Sequence, residues 1–119
     1  MHTNESAENY LETILVLSKT RPVVRSVDIA NELNFKKPSV SVAMKKLRES
    51  EHITVTPEGF IYLTDSGRQI AEKIYERHTL ISNWLEQLGV SPKTAAEDAC
   101  RIEHVISAES FEAMKKHVE

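Results

Sequence analysis

Cysteine is all but absent from this chain. Cys100 stands alone, which forbids an intramolecular disulfide and fits a reducing compartment, so a cytoplasmic location is expected. Long apolar runs are missing too: no stretch approaches the roughly 20 residues a bilayer-spanning helix requires. Ile14-Leu15-Val16-Leu17 is too short for the apolar core of a secretory signal, and the start, Met1-His2-Thr3-Asn4-Glu5, lacks the basic flank such a signal carries. No membrane partner is therefore expected. Glycine is scarce, with three residues in 119, and neither an internal repeat nor a low-complexity tract interrupts the sequence. With 40% apolar and 28% charged residues the composition is that of an ordinary globular protein, one compact unit or two small ones.

What is present is mostly helical periodicity. Tyr10, Ile14 and Leu17, with Leu11 and Leu15 beside them, predict a helix over 6–18 that Ser6 can cap. A short helix over Val27 to Leu33 turns Ile29, Ala30 and Leu33 inward. Asn34 then falls where a left-handed residue is needed, a conformation asparagine tolerates better than most. Pro38 suits the first position of the next helix, in which Val40, Ala43, Met44 and Leu47 share a core face. Two β-branched runs, 53–56 and 60–63, joined by Pro57-Glu58-Gly59, read as a hairpin. Thr64 caps a long helix striped by Ile70, Ile74, Ile81, Leu85 and Leu88 and ending at Gly89. Ser91-Pro92 opens another helix, and Ser107 a last one to about His117. The expected fold is mainly α with a small β-hairpin: a winged helix-turn-helix DNA-binding domain over 1–64, then an all-α domain over 65–119.

The net charge of −3 hides an uneven distribution. Residues 1–18 carry Glu5, Glu8 and Glu12 and no basic side chain, whereas 19–60 carry eight basic side chains against five acidic. That excess falls on the helix-turn-helix, an electrostatic footprint for nucleic acid. The outward face of the helix after Pro38 is small, hydroxylic and basic, as a helix entering a major groove should be. Lys36, Lys37, Lys45 and Lys46 are expected to hold phosphates, and Ser39, Ser41 and Val42 to meet base edges, Val42 through a thymine methyl. The bland alternative is a solvated helix with ordinary surface lysines. The wing tip carries Glu58 and no arginine, so it adds little. One copy reads about half a site, and a homodimer on a palindromic double-stranded operator is expected.

The other cluster is Cys100-Arg101-Ile102-Glu103-His104. On a helix it stacks a thiol, a carboxylate and an imidazole at i, i+3 and i+4. These three donors on one face suit a divalent transition metal. Ala95, Ala99, Ile102, Val105 and Ile106 supply a buried stripe on the other side, so Cys100 is not the small buried hydrophobe a free cysteine usually is. Taken alone, His78, beside the apolar stripe of the long helix, reads as a core histidine, and Asn9 and Glu12, one turn apart on the first helix, read as surface residues. A nucleophilic Cys100 with His104 as base lacks an oxyanion-forming turn and a third orienting group, so no enzyme and no small-molecule substrate are expected. A structural zinc site would need four closed ligands.

Several segments together resemble a known family. Residues 6–14 (Ser-Ala-Glu-Asn-Tyr-Leu-Glu-Thr-Ile), Asp28-Ile29-Ala30 leading to Pro38-Ser39-Val40-Ser41, Leu63-Thr64-Asp65-Ser66-Gly67, Arg77-His78 and the 100–104 run resemble the iron- and manganese-dependent repressors, which include the diphtheria toxin repressor and the manganese transport regulators. The resemblance extends over nearly the whole chain. It implies a metal site of a first-helix side chain with Cys100, Glu103 and His104. The first-helix position falls on Asn9, where the iron-type members have Met and the manganese-type Asp. It also implies a second site, in the manganese type, of Glu12, His78, Glu103 and the position of Cys100. A monodentate thiol bridges two metals poorly, and the partners of the iron type's other site fall on Ser82 and Ala96, so one strong and one weak site are expected. Iron-type members continue into an SH3-like domain; these 119 residues stop before it.

Thiolate with imidazole favours Fe(II), Co(II), Ni(II) or Zn(II) over Mn(II). Fe(II) is expected first and Mn(II) second, with Co(II), Ni(II) or Zn(II) able to substitute in vitro. The resemblance implies repression of metal-uptake genes when the ion is bound. The alternative is a metal-independent winged-helix transcription factor in which Cys100 and His104 are structural.

Overall fold

The computed structural model of the chain describes residues 5–118. Its elements run α1 (Glu5–Thr20), α2 (Ser26–Leu33), α3 (Lys37–Glu49), β1 (Ile53–Val55), β2 (Ile61–Leu63), α4 (Asp65–Gln87), α5 (Pro92–Ile102) and α6 (Ala108–Val118). They pack as two units that divide between Glu72 and Lys73, inside α4. None of the described helices is long and apolar enough to cross a membrane.

The first unit is a winged helix-turn-helix. Tyr10, Leu11, Ile14, Leu15 and Leu17 of α1 are buried, as are Ile29 and Ala30 of α2, Val40, Met44 and Leu47 of α3, and Ile53 and Ile61 of the hairpin. Each fully buried Leu or Ile contributes about 1.5–3 kcal/mol of transfer free energy. Asn34 ends α2 in the left-handed conformation (φ 57°, ψ 43°) with its N–H on the Ala30 carbonyl, so the sharp turn before α3 is an αL cap. Asp28 secures the start of α2 by accepting from the Arg25 N–H at 2.9 Å.

The strands pair antiparallel, with Ile53 opposite Leu63 and Val55 opposite Ile61. Each is shorter than the sequence suggests because Thr56 and Phe60 belong to the turn. The Phe60 N–H bonds the Thr56 hydroxyl at 3.0 Å, and Gly59 supplies a positive φ of 88°. Ser6 lies inside the first turn of α1 rather than capping it, and Pro38 is the second residue of α3, after Lys37. Proline is tolerated at either of these positions because neither N–H has a partner within the helix.

Thr64 caps α4, its hydroxyl accepting from the Gly67 N–H at 3.2 Å and donating to the Glu51 carbonyl at 2.7 Å. Gly67 is buried against the backbone of His52, leaving no room for a Cβ. In the second unit, Ile74 and Ile81 of α4, Ala95 and Ala99 of α5 and Phe111 of α6 form the core. The expected caps are in place: the Thr94 N–H bonds the Ser91 hydroxyl, and the Ser110 N–H that of Ser107. Gly89 turns the chain at φ 102°. Leu88, expected on the stripe of α4, is 66% exposed because the helix ends at Gln87, one residue before it.

Candidate metal centre and reading helix

The second unit builds its polar cluster at the end of α5. Cys100 is in the last turn, but α5 stops at Ile102, so Glu103 and His104 stand in the following turn rather than within the helix. The expected stacking survives because Glu103 keeps right-handed helical backbone (φ −59°, ψ −24°) and its N–H still bonds the Ala99 carbonyl. Beyond it the chain leaves the helical path. Val105, expected in the buried stripe, is 78% exposed, and Ile102 and Ile106 are only half-buried.

The donor atoms of Cys100, Glu103 and His104 lie within 4.8 Å of one another. Glu103 is wholly buried, at 0% exposure, and this the sequence did not announce. One carboxylate oxygen, Oε2, is 2.9 Å from Nδ1 of His78 on α4. The other, Oε1, is 3.3 Å from His104 Nε2, yet it accepts no hydrogen bond among the described residues. A buried carboxylate oxygen without a hydrogen bond is costly. Here it faces an imidazole nitrogen and a nearby thiol, all lone-pair donors once deprotonated. A divalent cation satisfies that arrangement, so the residues present fit one.

The remaining expected ligands, Asn9 and Glu12, are half-buried on α1 in the first unit, one turn apart. Their side chains therefore share one face of that helix.

A residue whose role the sequence reading left unassigned joins the cluster. Arg77 precedes His78 and is buried at 6% exposure. Its Nη1 donates to the Glu103 carbonyl at 3.1 Å and to the Ile106 carbonyl at 2.9 Å. The guanidinium also lies over a ring, its carbon 5.5 Å from the Phe111 centroid. The available signal was positional, since residue 77 falls three after Ile74, on the apolar stripe of α4.

In the first unit α3 presents the expected face to solvent. Lys36 and Lys37 at its start, and Pro38, Ser39, Ser41, Val42, Lys45 and Lys46 along it, are all exposed, while Val40, Met44 and Leu47 hold the other side in the core. Ala43 is half-buried rather than fully inward.

Known families match both parts of the chain. Residues 2–59 match the iron dependent repressor, N-terminal DNA binding domain, and residues 64–119 match the iron dependent repressor, metal binding and dimerisation domain. The transcriptional regulator MntR of Escherichia coli O6:H1 is 34% identical over 96% of this chain and 74% of its own length. An uncharacterised HTH-type transcriptional regulator of Methanocaldococcus jannaschii is 37% identical over 98% of this chain and 94% of its own. Among solved structures, the manganese regulator SloR superposes with a TM-score of 0.84 at 28% identity, covering 99% of this chain. The metal-dependent transcriptional regulator MtsR does so with 0.86 at 25% identity over 94%. The chain spans about half the length of these two structures, 54% and 53%. On the sequence identity over nearly its whole length, the chain belongs to the iron-dependent repressor family of metal-dependent transcriptional regulators.

Proposed function

We propose that this protein is a metal-activated repressor that binds a palindromic operator as a homodimer and shuts off metal-uptake genes when the ion is plentiful. Residues 1–64 read the DNA, and 65–119 bind metal and dimerise. The observation that carries the proposal is the wholly buried Glu103, whose Oε1 accepts no hydrogen bond and sits beside His104 and Cys100 in a chain that also exposes a hydroxylic, basic helix.

A bound divalent cation supplies the positive charge that these donors lack among themselves. Cys100, Glu103 and His104 hold it as thiolate, carboxylate and imidazole. His78 orients the Glu103 carboxylate through Oε2 and serves a second, weaker site together with Glu12. Asn9 contributes an uncharged carbonyl oxygen to the first. These assignments for Asn9 and Glu12 rest on the family resemblance and on their shared face of α1. The thiol favours Fe(II). Mn(II) stands second, supported by the likeness to a structure named a manganese regulator.

Ligands recruited from both ends of the chain bias the protein toward the arrangement that binds DNA. A preference of a few kcal/mol for that arrangement is enough to shift the population. The test is a titration of operator DNA with anaerobically purified protein in Fe(II), in Mn(II) and in chelator. Binding that appears with metal and is lost with chelator supports the proposal; equal affinity in all three rules it out.

A further inference from the structure

The turn that carries two candidate ligands, Glu103 and His104, follows the end of α5 and keeps backbone bonds to the Ala99 and Ile102 carbonyls as ties to that helix. Among the described residues, Arg77 makes two hydrogen bonds to this turn, at the Glu103 and Ile106 carbonyls. The Glu103 carbonyl lies at the end of α5, where a cation is also favoured by the helix dipole, and that of Ile106 in the turn beyond it. The guanidinium is itself fixed, buried at 6% exposure and set over the Phe111 ring. Its neighbour His78 meets the Glu103 side chain from the same stretch of α4. One turn of α4 thus grips both the backbone and the carboxylate of residue 103.

We propose that Arg77 is the positioning residue of the metal centre: by clamping the Glu103 and Ile106 carbonyls it sets the turn from which Glu103 and His104 reach the ion. This rests on the metal-site reading above. Arginine is required rather than a generic cation. Both bonds leave the single Nη1 atom, a point that a lysine stem, one atom shorter, does not bring its ammonium to, and an ammonium has no planar face to lay over Phe111. Arg77 does not touch the ion, so its loss degrades geometry and affinity without removing a ligand.

The probe is Co(II), whose thiolate charge-transfer and d–d bands report ligand identity and geometry. Three full-length proteins are titrated anaerobically: wild type, Arg77→Lys and Phe111→Leu. Phe111→Leu removes the ring beneath the guanidinium but leaves both carbonyl bonds possible, so it controls for general loosening; metal-free thermal midpoints are recorded for all three. The expected result is that Arg77→Lys binds Co(II) roughly 10- to 100-fold more weakly, keeps the thiolate band and shifts the d–d bands. Phe111→Leu is expected to lower the melting midpoint while retaining near-wild-type affinity and spectrum. Wild-type affinity and bands in Arg77→Lys overturn the proposal, as does an equal spectral change in Phe111→Leu. Arg77→Lys protein that does not fold while Phe111→Leu does also counts against it, since Arg77 is then structural first. Absence of Co(II) binding by the wild type removes the metal-site reading itself, and the proposal with it.

Discussion

At the scale of the residue, the informative contrast is between what is buried and what is satisfied. Glu103 is at 0% exposure with one carboxyl oxygen that accepts no hydrogen bond and faces His104 Nε2 at 3.3 Å, an arrangement that calls for an explanation beyond packing. Cys100, one turn earlier, is half-buried and lies outside the fully buried core. Replacing it with alanine separates the two roles. Cys100→Ala should lower metal affinity by at least about 100-fold, exceeding the usual loss of an outer-shell partner. Its metal-free stability should change by under about 1 kcal/mol, as a small substitution away from the fully packed core does. Metal titration and urea melts of the same preparation check both halves. An unchanged metal response, or a large loss of apo stability, contradicts the ligand assignment.

At the scale of the element, three helix starts were legible, while the start at Ser6, the last residue of α4 and the end of α5 were not. Ser91-Pro92, Ser107 and Thr64 each carry a hydroxyl that accepts from an amide three residues on, and all three cap as expected. Asn34 and Gly89 mark ends through a positive φ. The end of α5 carries no such mark. Past Ile102 the Glu103 and Ile106 carbonyls are taken by Arg77, 26 positions earlier than Glu103, and so distant a partner leaves no local pattern. Val105, on the α5 stripe by spacing alone, falls beyond that end and is exposed.

Gly67 was legible only as part of a resemblance, yet its physical role is plain. It is buried where α4 begins, and the Cβ of any other residue would overlap the carbonyl oxygen of His52 at the start of the wing. That carbonyl accepts from the Thr64 N–H at 3.1 Å, so it is not at liberty to swing away. Gly67→Ala should therefore destabilise the protein by about 1–3 kcal/mol, the usual cost of overpacking a tight site. The urea midpoint should fall with an unchanged slope. Wild-type stability would mean that the backbone yields at no cost.

At the scale of the whole molecule, the charge distribution bears on how DNA is held. The reading helix offers a handful of lysines, and the full chain is net negative at −3, so one copy has modest electrostatic means of holding a duplex. Two copies on one operator solve this only if the half-sites present the same face of the duplex, about one helical turn, or 10 base pairs, apart. Operator binding should then be steep in protein concentration and should need metal. It should also collapse when about 5 base pairs are inserted between half-sites, since that rotates one of them to the opposite face. Restoring a full turn with about 10 inserted pairs should recover part of the affinity if the protein or the DNA can span the added length, and none if the dimer is rigid. Gel shifts on the three spacings, each with Mn(II) and with chelator, separate these cases. Equal binding to an isolated half-site and to the paired site would show that a single reading helix suffices and that dimerisation contributes nothing to recognition.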